Sequence, residues 1–439
     1  MDEETKRDCR LQILVEEVLE KIRSGERVEY ENANIKGDLS LAGLNLPNDE
    51  NDRIIVRSKI SIKNSRVEGK IDFKSVIFCN PVYISNVTIE GDAHFSGAKF
   101  NKEIFLIGSK FNEATSFAGA HFVKRALFNG ARFGKSASFS SAEFELEARF
   151  DKADFNMDAS FEAVKFEFAY FNGAKFNARA DFQGARFERN VEFNKVRFNG
   201  SASLAGVKFD ENANFSEAEF HSDAYFSGTT FRGNVNFSRS QFDRSAVFNN
   251  ETCFGNGLNL DEIRGSHIRI ESKFNEDLRG QLSLKNSDIS SLFVPWETIK
   301  NHLSYDGSAY LTLVKSYNNL ELYDDADDCL YQYRVIKRET LPPMRKIADY
   351  LVCGFLGYGV RPLFPVYVGL GIIIFSAIIY LLGHQASANA IELSFTIFFT
   401  QTGMDPLTGL CKVTSLAESA LGVLLMACFV ISLAKWTLR

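Results

Sequence analysis

The stretch FNGAKFNARADFQGARFERNVEF occupies residues 171–193, with phenylalanine at 171, 176, 182, 187 and 193. The spacing alternates five and six, which fits neither the period of an amphipathic helix nor that of a flat strand. The same beat extends far to either side. Large apolar residues stand at 62, 67, 73, 78, 84, 89, 95 and 100, and onward without a break to Phe166. At Phe171 one step shortens from six to five, and the alternation then resumes to Phe248. Early positions use Ile and Val (Ile62, Val67, Ile84, Ile89), and later ones are nearly all Phe. A small residue often stands two places earlier, as at Ala98, Ala120, Ala153, Ala185 and Ala218. Residues two apart on an extended chain point the same way, so a small and a large side chain both face inward before the chain turns. Gly, Asn, Asp and Ser fill the intervening turn positions. A long fixed period of this kind signals a solenoid, whose units bury their inner faces by stacking on one another.

The units ADFQG (180–184) and ANFSE (213–217) resemble those of the pentapeptide-repeat family: Ala, then Asp or Asn, then a central Leu or Phe, then two free residues. The resemblance covers about residues 34–293. It implies a right-handed quadrilateral β-helix with the central residues stacked in ladders on the axis. The extra residue in alternate units implies about 22 residues per coil, hence roughly ten coils and a rod on the order of 50 Å. The Phe residues are therefore expected to be core ladders, not a surface for stacking nucleobases. LNL (258–260), IRI (268–270), LSL (282–284) and DISSLFV (288–294) read as degenerate last coils. Solenoid ends need caps. A helix over 5–23, with Leu11, Leu14, Val15, Val18, Leu19 and Ile22 on one stripe, suits the first coil.

The composition narrows the function. Among 439 residues, 41 are Phe, and the net charge is −6. That balance argues against nonspecific nucleic-acid binding, which calls for a basic face. The seven Cys (9, 79, 253, 329, 353, 411, 428) form no CxxC pair and no Cys/His cluster. They read as buried apolar residues of a reducing compartment, with neither a zinc site nor a disulfide framework. His94, His121, His221 and His267 are isolated, so no catalytic constellation is visible and no enzyme is expected. The N-terminal segment is charged and amphipathic, unlike a secretory signal.

Residues 295–362 read as a cytosolic helical linker, with two helices joined near Tyr323. The acidic run Asp324, Asp325, Asp327 and Asp328 lacks the ligand spacing and central Gly of a calcium-binding EF-hand. A helix N-terminus explains it more simply. Leu363–Leu382 holds twenty residues without a charge, and Ser419–Ala434, flanked by Glu418 and Lys435, is a second apolar run. Both suit membrane spans. The basic run Arg334, Lys337, Arg338, Arg345, Lys346 and Arg361 marks the cytoplasmic side of the first span, and Lys435, Trp436 and Arg439 that of the second. The expected location is the cell (inner) membrane, multi-pass, with both ends of the chain and the solenoid in the cytoplasm.

Between the spans lies IELSFTIFFTQTGMDPLTG (391–409), whose apolar part is too short to cross a bilayer. It reads as a re-entrant half-helix followed by a polar turn, tolerated where it lines a watery cavity. Span, re-entrant segment and span over 363–439 resemble the two-helix pore module of the potassium-channel superfamily. The resemblance implies a filter at Thr400, Gln401, Thr402, Gly403, Met404 and Asp405. Asp405 stands where the potassium signature has its second glycine. The stretch looks closer to the T-x-x-G-x-x-P filter of weakly selective cation channels, with Asp405 ringing the outer mouth or serving as a turn residue before Pro406. Gly422 is a gating hinge or a site of close helix packing.

The reading is thus a cap (1–29), a pentapeptide-repeat β-helix (30–294), the linker (295–362) and a transmembrane pore domain with a re-entrant pore helix (363–439). The implied protein is a homotetrameric, weakly selective cation channel in a lipid bilayer, passing monovalent cations (K+, Na+) without a cofactor. Its solenoids regulate gating or hold a cytosolic protein or ligand. The alternative is a membrane-anchored scaffold whose solenoid binds a cytosolic protein. A nucleic-acid-mimicking inhibitor needs a continuous acidic face, which Lys124, Arg125, Arg132 and Lys135 interrupt.

Overall fold

The computed structural model describes residues 10–249, 251–271, 273–274, 282–384, 389–404 and 407–437. The chain divides into two compact units, 1–312 and 313–439.

The first unit is a β-solenoid. Among the described residues, short strands build two parallel sheets of 22 and 21 strands, and strands inside the stack pair with their counterparts one coil before and after. The register advances by 22 residues, as in Phe100↔Phe122 and Phe111↔Phe133. Inward rings from successive coils stack face to face. Phe128 and Phe150 lie 4.7 Å apart and 3° from parallel. Neighbouring ladders meet edge to face, as Phe139 and Phe150 do at 5.2 Å and 88°. Both geometries suit the ring quadrupole. These rings are almost completely buried. The small residues beside them leave room for the corners, where Gly119, Gly130 and Gly184 take positive φ.

The short step at Phe171 has a structural counterpart. Phe150 stacks on Phe171 at 4.9 Å although one fewer residue separates them than separates Phe128 from Phe150. A bulge between Phe144 and Glu147, opposite Phe166 and Phe168, absorbs the difference.

The N-terminal cap departs from expectation. Residues Leu11–Leu14 form a strand paired in parallel with Ala33–Lys36, and helix α1 spans only Val15–Ser24. Leu11 and Leu14 are exposed, while Val15, Val18 and Ile22 are buried. The unpaired edge of the first coil offers backbone hydrogen bonds that a fifth helical turn does not, so the strand wins. Residues 5–9 lie outside the described residues. At the other end, Asp288–Phe293 pairs with Arg264–Ile270. A short helix α2 (Trp296–Ile299) follows, and the buried Trp296 and Tyr310 rings meet at 6.0 Å.

The linker also differs. The first expected helix is broken by residues 300–306. Asp306 then caps a new helix α3 (Gly307–Asn319), accepting from the Ser308 N–H at 2.9 Å. Helix α4 spans Tyr323–Arg338, with Asp324 and Asp325 in its first turn. A further helix α5, Pro343–Leu356, opens on a proline at its first position.

In the second unit, α6 (Phe364–Leu382) and α8 (Gly409–Thr437) are each long and apolar enough to cross a membrane. The 11-residue α7 (Ala390–Thr400) packs against both. Glu418, expected as the flank of the second run, lies well inside α8.

Candidate functional site

The second unit converges on α7 and the turn after it. Phe398 of α7 is held between two glycines. A Cβ on Gly369 of α6 would stand 3.0 Å from its Cζ. A Cβ on Gly422 of α8 would fall inside van der Waals contact of its carbonyl oxygen. Only glycine lets the backbones approach this closely. Gly422 therefore has a packing role in the structure, whichever way the helix bends. Ile373, Phe398 and Leu425 complete this contact. A second apolar cluster joins Ala377, Tyr380, Ala390, Ile397, Leu407 and Cys411.

Buried polar side chains also meet among these helices. Glu418 is 1% exposed. The Tyr380 hydroxyl donates to its Oε2 at 2.6 Å. The Ser394 hydroxyl lies against its other oxygen and 2.8 Å from the Ile373 carbonyl. An acid buried among apolar helices is costly unless its oxygens are satisfied, and here α6 and α7 each present a hydroxyl to the acid on α8. The sequence reading missed this centre. Its only signal was one acid inside a long apolar run.

The turn begins where α7 ends. Gln401 caps the helix in the left-handed region (φ +61°), its N–H reaching the Ile397 carbonyl at 3.1 Å. The Thr400 hydroxyl bonds the Thr396 carbonyl at 2.7 Å and lies 2.7 Å from that of Thr402. Gly403 has φ +88°, and a Cβ there would press on Leu393. Met404 packs on the second cluster. Thr400, Gln401, Thr402 and Gly403 are exposed in the single chain. Thr400 through Met404 thus form one continuous turn, while Gly422 sits apart, against the body of α7. Asp405 and Pro406 lie outside the described residues.

A second polar centre ties the segment before α6 to the linker helices. Arg338, at the end of α4, is 7% exposed. Its Nε donates to Asp349 of α5 at 2.8 Å, and its Nη2 to the Tyr358 hydroxyl at 2.6 Å. The Tyr358 hydroxyl donates in turn to Asp349. Burial and the bond to Asp349 push the Tyr358 phenol up to about 12. Burial alone would lower the Arg338 pKa, but the bonds to Tyr358 and Asp349 outweigh it and hold the guanidinium charged. Tyr358 has φ +56°, uncommon for a side chain of its size. Arg361 pairs with Asp328 at 2.7 Å and stacks over Tyr331. Lys346 pairs with Glu339. Much of the basic run before α6 is therefore engaged in local pairs, a use the sequence reading did not anticipate. Among the described residues, no group of three or more His, Cys, Asp or Glu is placed to hold a metal.

Five overlapping stretches, 95–143, 124–165, 139–185, 161–208 and 204–252, match the family model described as pentapeptide repeats (9 copies). These stretches lie within the β-solenoid of the first unit, which accordingly carries pentapeptide repeats. No curated protein and no solved structure matches the chain.

Proposed function

We propose that the protein is one subunit of a homotetrameric, weakly selective cation channel, with the pentapeptide-repeat solenoid as its cytosolic regulatory domain. The observation that carries this reading is the placement of α7, an 11-residue apolar helix packed against two span-length helices and ending in an exposed turn of hydroxyls and carbonyls. A helix of that length reaches about 16 Å, roughly half the hydrocarbon thickness. Its C-terminal end carries partial negative charge, which favours a cation there. Turn carbonyls and the Thr400 and Thr402 hydroxyls supply the oxygen ligands such an ion exchanges for water. One chain offers a single such turn, so a closed ring of copies is needed to surround an ion. Asp405 then adds a ring of carboxylates at the mouth. A scaffold tethered by its spans would have no use for α7.

The test is reconstitution of the full chain in planar bilayers under asymmetric KCl and NaCl. Discrete cation currents that fall on Asp405→Asn support the channel, and reversal potentials give the selectivity. Confirmed tetramers that remain silent, with and without residues 1–293, move the assignment to the scaffold.

A further inference from the structure

The outward face of one sheet changes character along the solenoid. Its central column runs, coil by coil, through Tyr83, Phe105, Leu127, Arg149 and Tyr170, and then through Glu192, Asn214 and Asn236. The fold accepts asparagine at this position, so nothing in the coil requires the early apolar residues. Tyr83 and Phe105 stack at 4.6 Å on the solvent side, half-buried, and Ile107 beside them is 38% exposed. The corresponding column on the other sheet holds His94, Ser116, Ser138 and Ser160. A contiguous apolar strip on one side only, rimmed by polar residues, marks an interaction surface.

The charge at its margins is basic. Lys102 and Lys124 stand at the bends entering the Phe105 and Leu127 strands and form no ion pair among the described residues. Lys63 lies over the Tyr83 ring at 5.7 Å. Arg125 faces Glu103 only at 3.9 Å. The backbone offers no second handle. Every coil here is paired above and below, so a partner cannot add a strand along this side and must be recognised through side chains.

We propose that the column Tyr83, Phe105 and Leu127, with Ile107, Lys102 and Lys124 around it, is the docking surface for an acidic amphipathic α-helix of a partner protein. Apolar side chains one helical turn apart are separated by about 5.4 Å, close to the roughly 4.8 Å between coils. One turn of the partner therefore meets one coil. Its acidic flanks meet the lysines, which fixes orientation and speeds encounter. The proposal is independent of the channel reading.

The test uses the full chain in nanodiscs of zwitterionic lipid, with empty nanodiscs as the blank. Two synthetic amphipathic helices share one apolar stripe, and the polar positions are Glu in the first and Lys in the second. Fluorescence anisotropy is expected to show the Glu helix binding about tenfold tighter or more, with the preference collapsing at high salt. Phe105→Ser and Lys124→Glu are each expected to weaken the Glu helix about tenfold. Both positions face solvent, and Ile107→Ser serves as a further variant should Phe105→Ser fail to fold. Equal affinity for the two helices, or affinity untouched by these substitutions, overturns the proposal. Phe105-dependent binding to anionic vesicles without discrimination between the helices makes the strip a membrane-contact surface and overturns it as well. A Phe105-dependent change in the mass of the particle, with the helices unbound, assigns the strip to a second copy of the chain and has the same consequence.

Discussion

The Tyr380 hydroxyl donates to Glu418 across 2.6 Å, and both residues are almost wholly buried. The bond joins α6 to α8, and Ser394 joins the same carboxylate to α7. Tyr380→Phe removes the donor and keeps the ring, leaving a carboxylate oxygen short of a partner in an apolar setting. The expected loss is about 1–3 kcal/mol. Tyr367→Phe on the same helix, where the side chain is 64% exposed, is expected to be silent. Denaturant titration of the reconstituted chain, followed by helical circular dichroism, distinguishes the two. Equal effects would mean that the Glu418 centre contributes nothing particular.

Gly422 gives a sharper test of packing against hinging. Its missing Cβ lets α8 touch the Phe398 carbonyl oxygen, a backbone atom that cannot swing aside. Gly422→Ala is expected to destabilise the second unit by about 1–3 kcal/mol through overpacking. Gly371, on α6, faces open space, and a Cβ added there would meet nothing within 4 Å. Gly371→Ala is expected to be neutral or slightly stabilising, as helix propensity dictates. Unchanged stability of Gly422→Ala combined with altered channel open times would favour the hinge.

In the solenoid, Phe139 stacks between Phe117 at 5.1 Å and Phe161 at 4.9 Å and meets Phe128 and Phe150 edge-on. Phe139→Ala is expected to cost about 3–5 kcal/mol. Phe139→Leu is expected to cost less than half as much, because Leu204 already occupies the same ladder and is fully buried. Guanidinium unfolding measured on the full chain checks the ratio. The result bears on how a solenoid distributes stability, since each coil relies on its neighbours.

How far the sequence could be read depended on repetition. Each ladder position recurs coil after coil, so Phe171 stood out as a short step, and the bulge at Phe144/Glu147 is its structural expression. Features that occur once were harder to read. Leu11, Leu14 and Val15 fit a helical stripe as well as a strand followed by a helix, and only the free edge at Ala33–Lys36 decides between them. The Asp306-Gly307 pair does signal a break and a new cap, but it lies inside a stretch with helical spacing. Pro343, placed at the first position of α5, was an available start signal. In the second unit, the short apolar segment was legible from its length and from the polar turn after it. Glu418 was not, because its meaning depends on Tyr380 and Ser394, which are distant in sequence and adjacent only once three helices pack.

A pH dependence is expected on the solenoid surface. His221 Nδ1 lies 2.6 Å from Asp243 and its Nε2 3.3 Å from Glu219. The Asp243 bond, resisted by partial burial, raises the imidazole pKa. The folded state therefore favours the proton. Its contribution is complete below the ordinary imidazole pKa of about 6.5 and fades as pH rises through the higher folded value. The Asp243 carboxyl is held low by Gln241 first and then by His221, so its share is lost only on strong acidification. Because His221 is 37% exposed, the effect is expected to stay below about 1 kcal/mol. Thermal melts of His221→Gln should show a flatter pH profile above neutrality than the parent. Identical profiles would remove the pair from the account.

Arg338 offers the clearest handle on the linker. Its guanidinium joins α4 to Asp349 of α5 and to Tyr358, whose left-handed backbone directs the chain toward α6. Arg338→Met leaves Asp349, only 17% exposed, with a charge and no cation. The expected loss is about 3–5 kcal/mol, most of it the cost of the stranded carboxylate. Arg338→Met combined with Asp349→Leu removes both charges and is expected to recover most of that loss. Arg338→Lys keeps the charge but cannot serve two acceptors with one planar fork, so it should fall between the two. Hydrogen exchange over 343–356 reports the local effect, and the melt reports the total. If the double variant is no more stable than Arg338→Met, the pair is not what holds this corner. Under the channel reading, the same series should shift open probability in the order of the stability losses, because the corner lies on the chain path between the solenoid and α6.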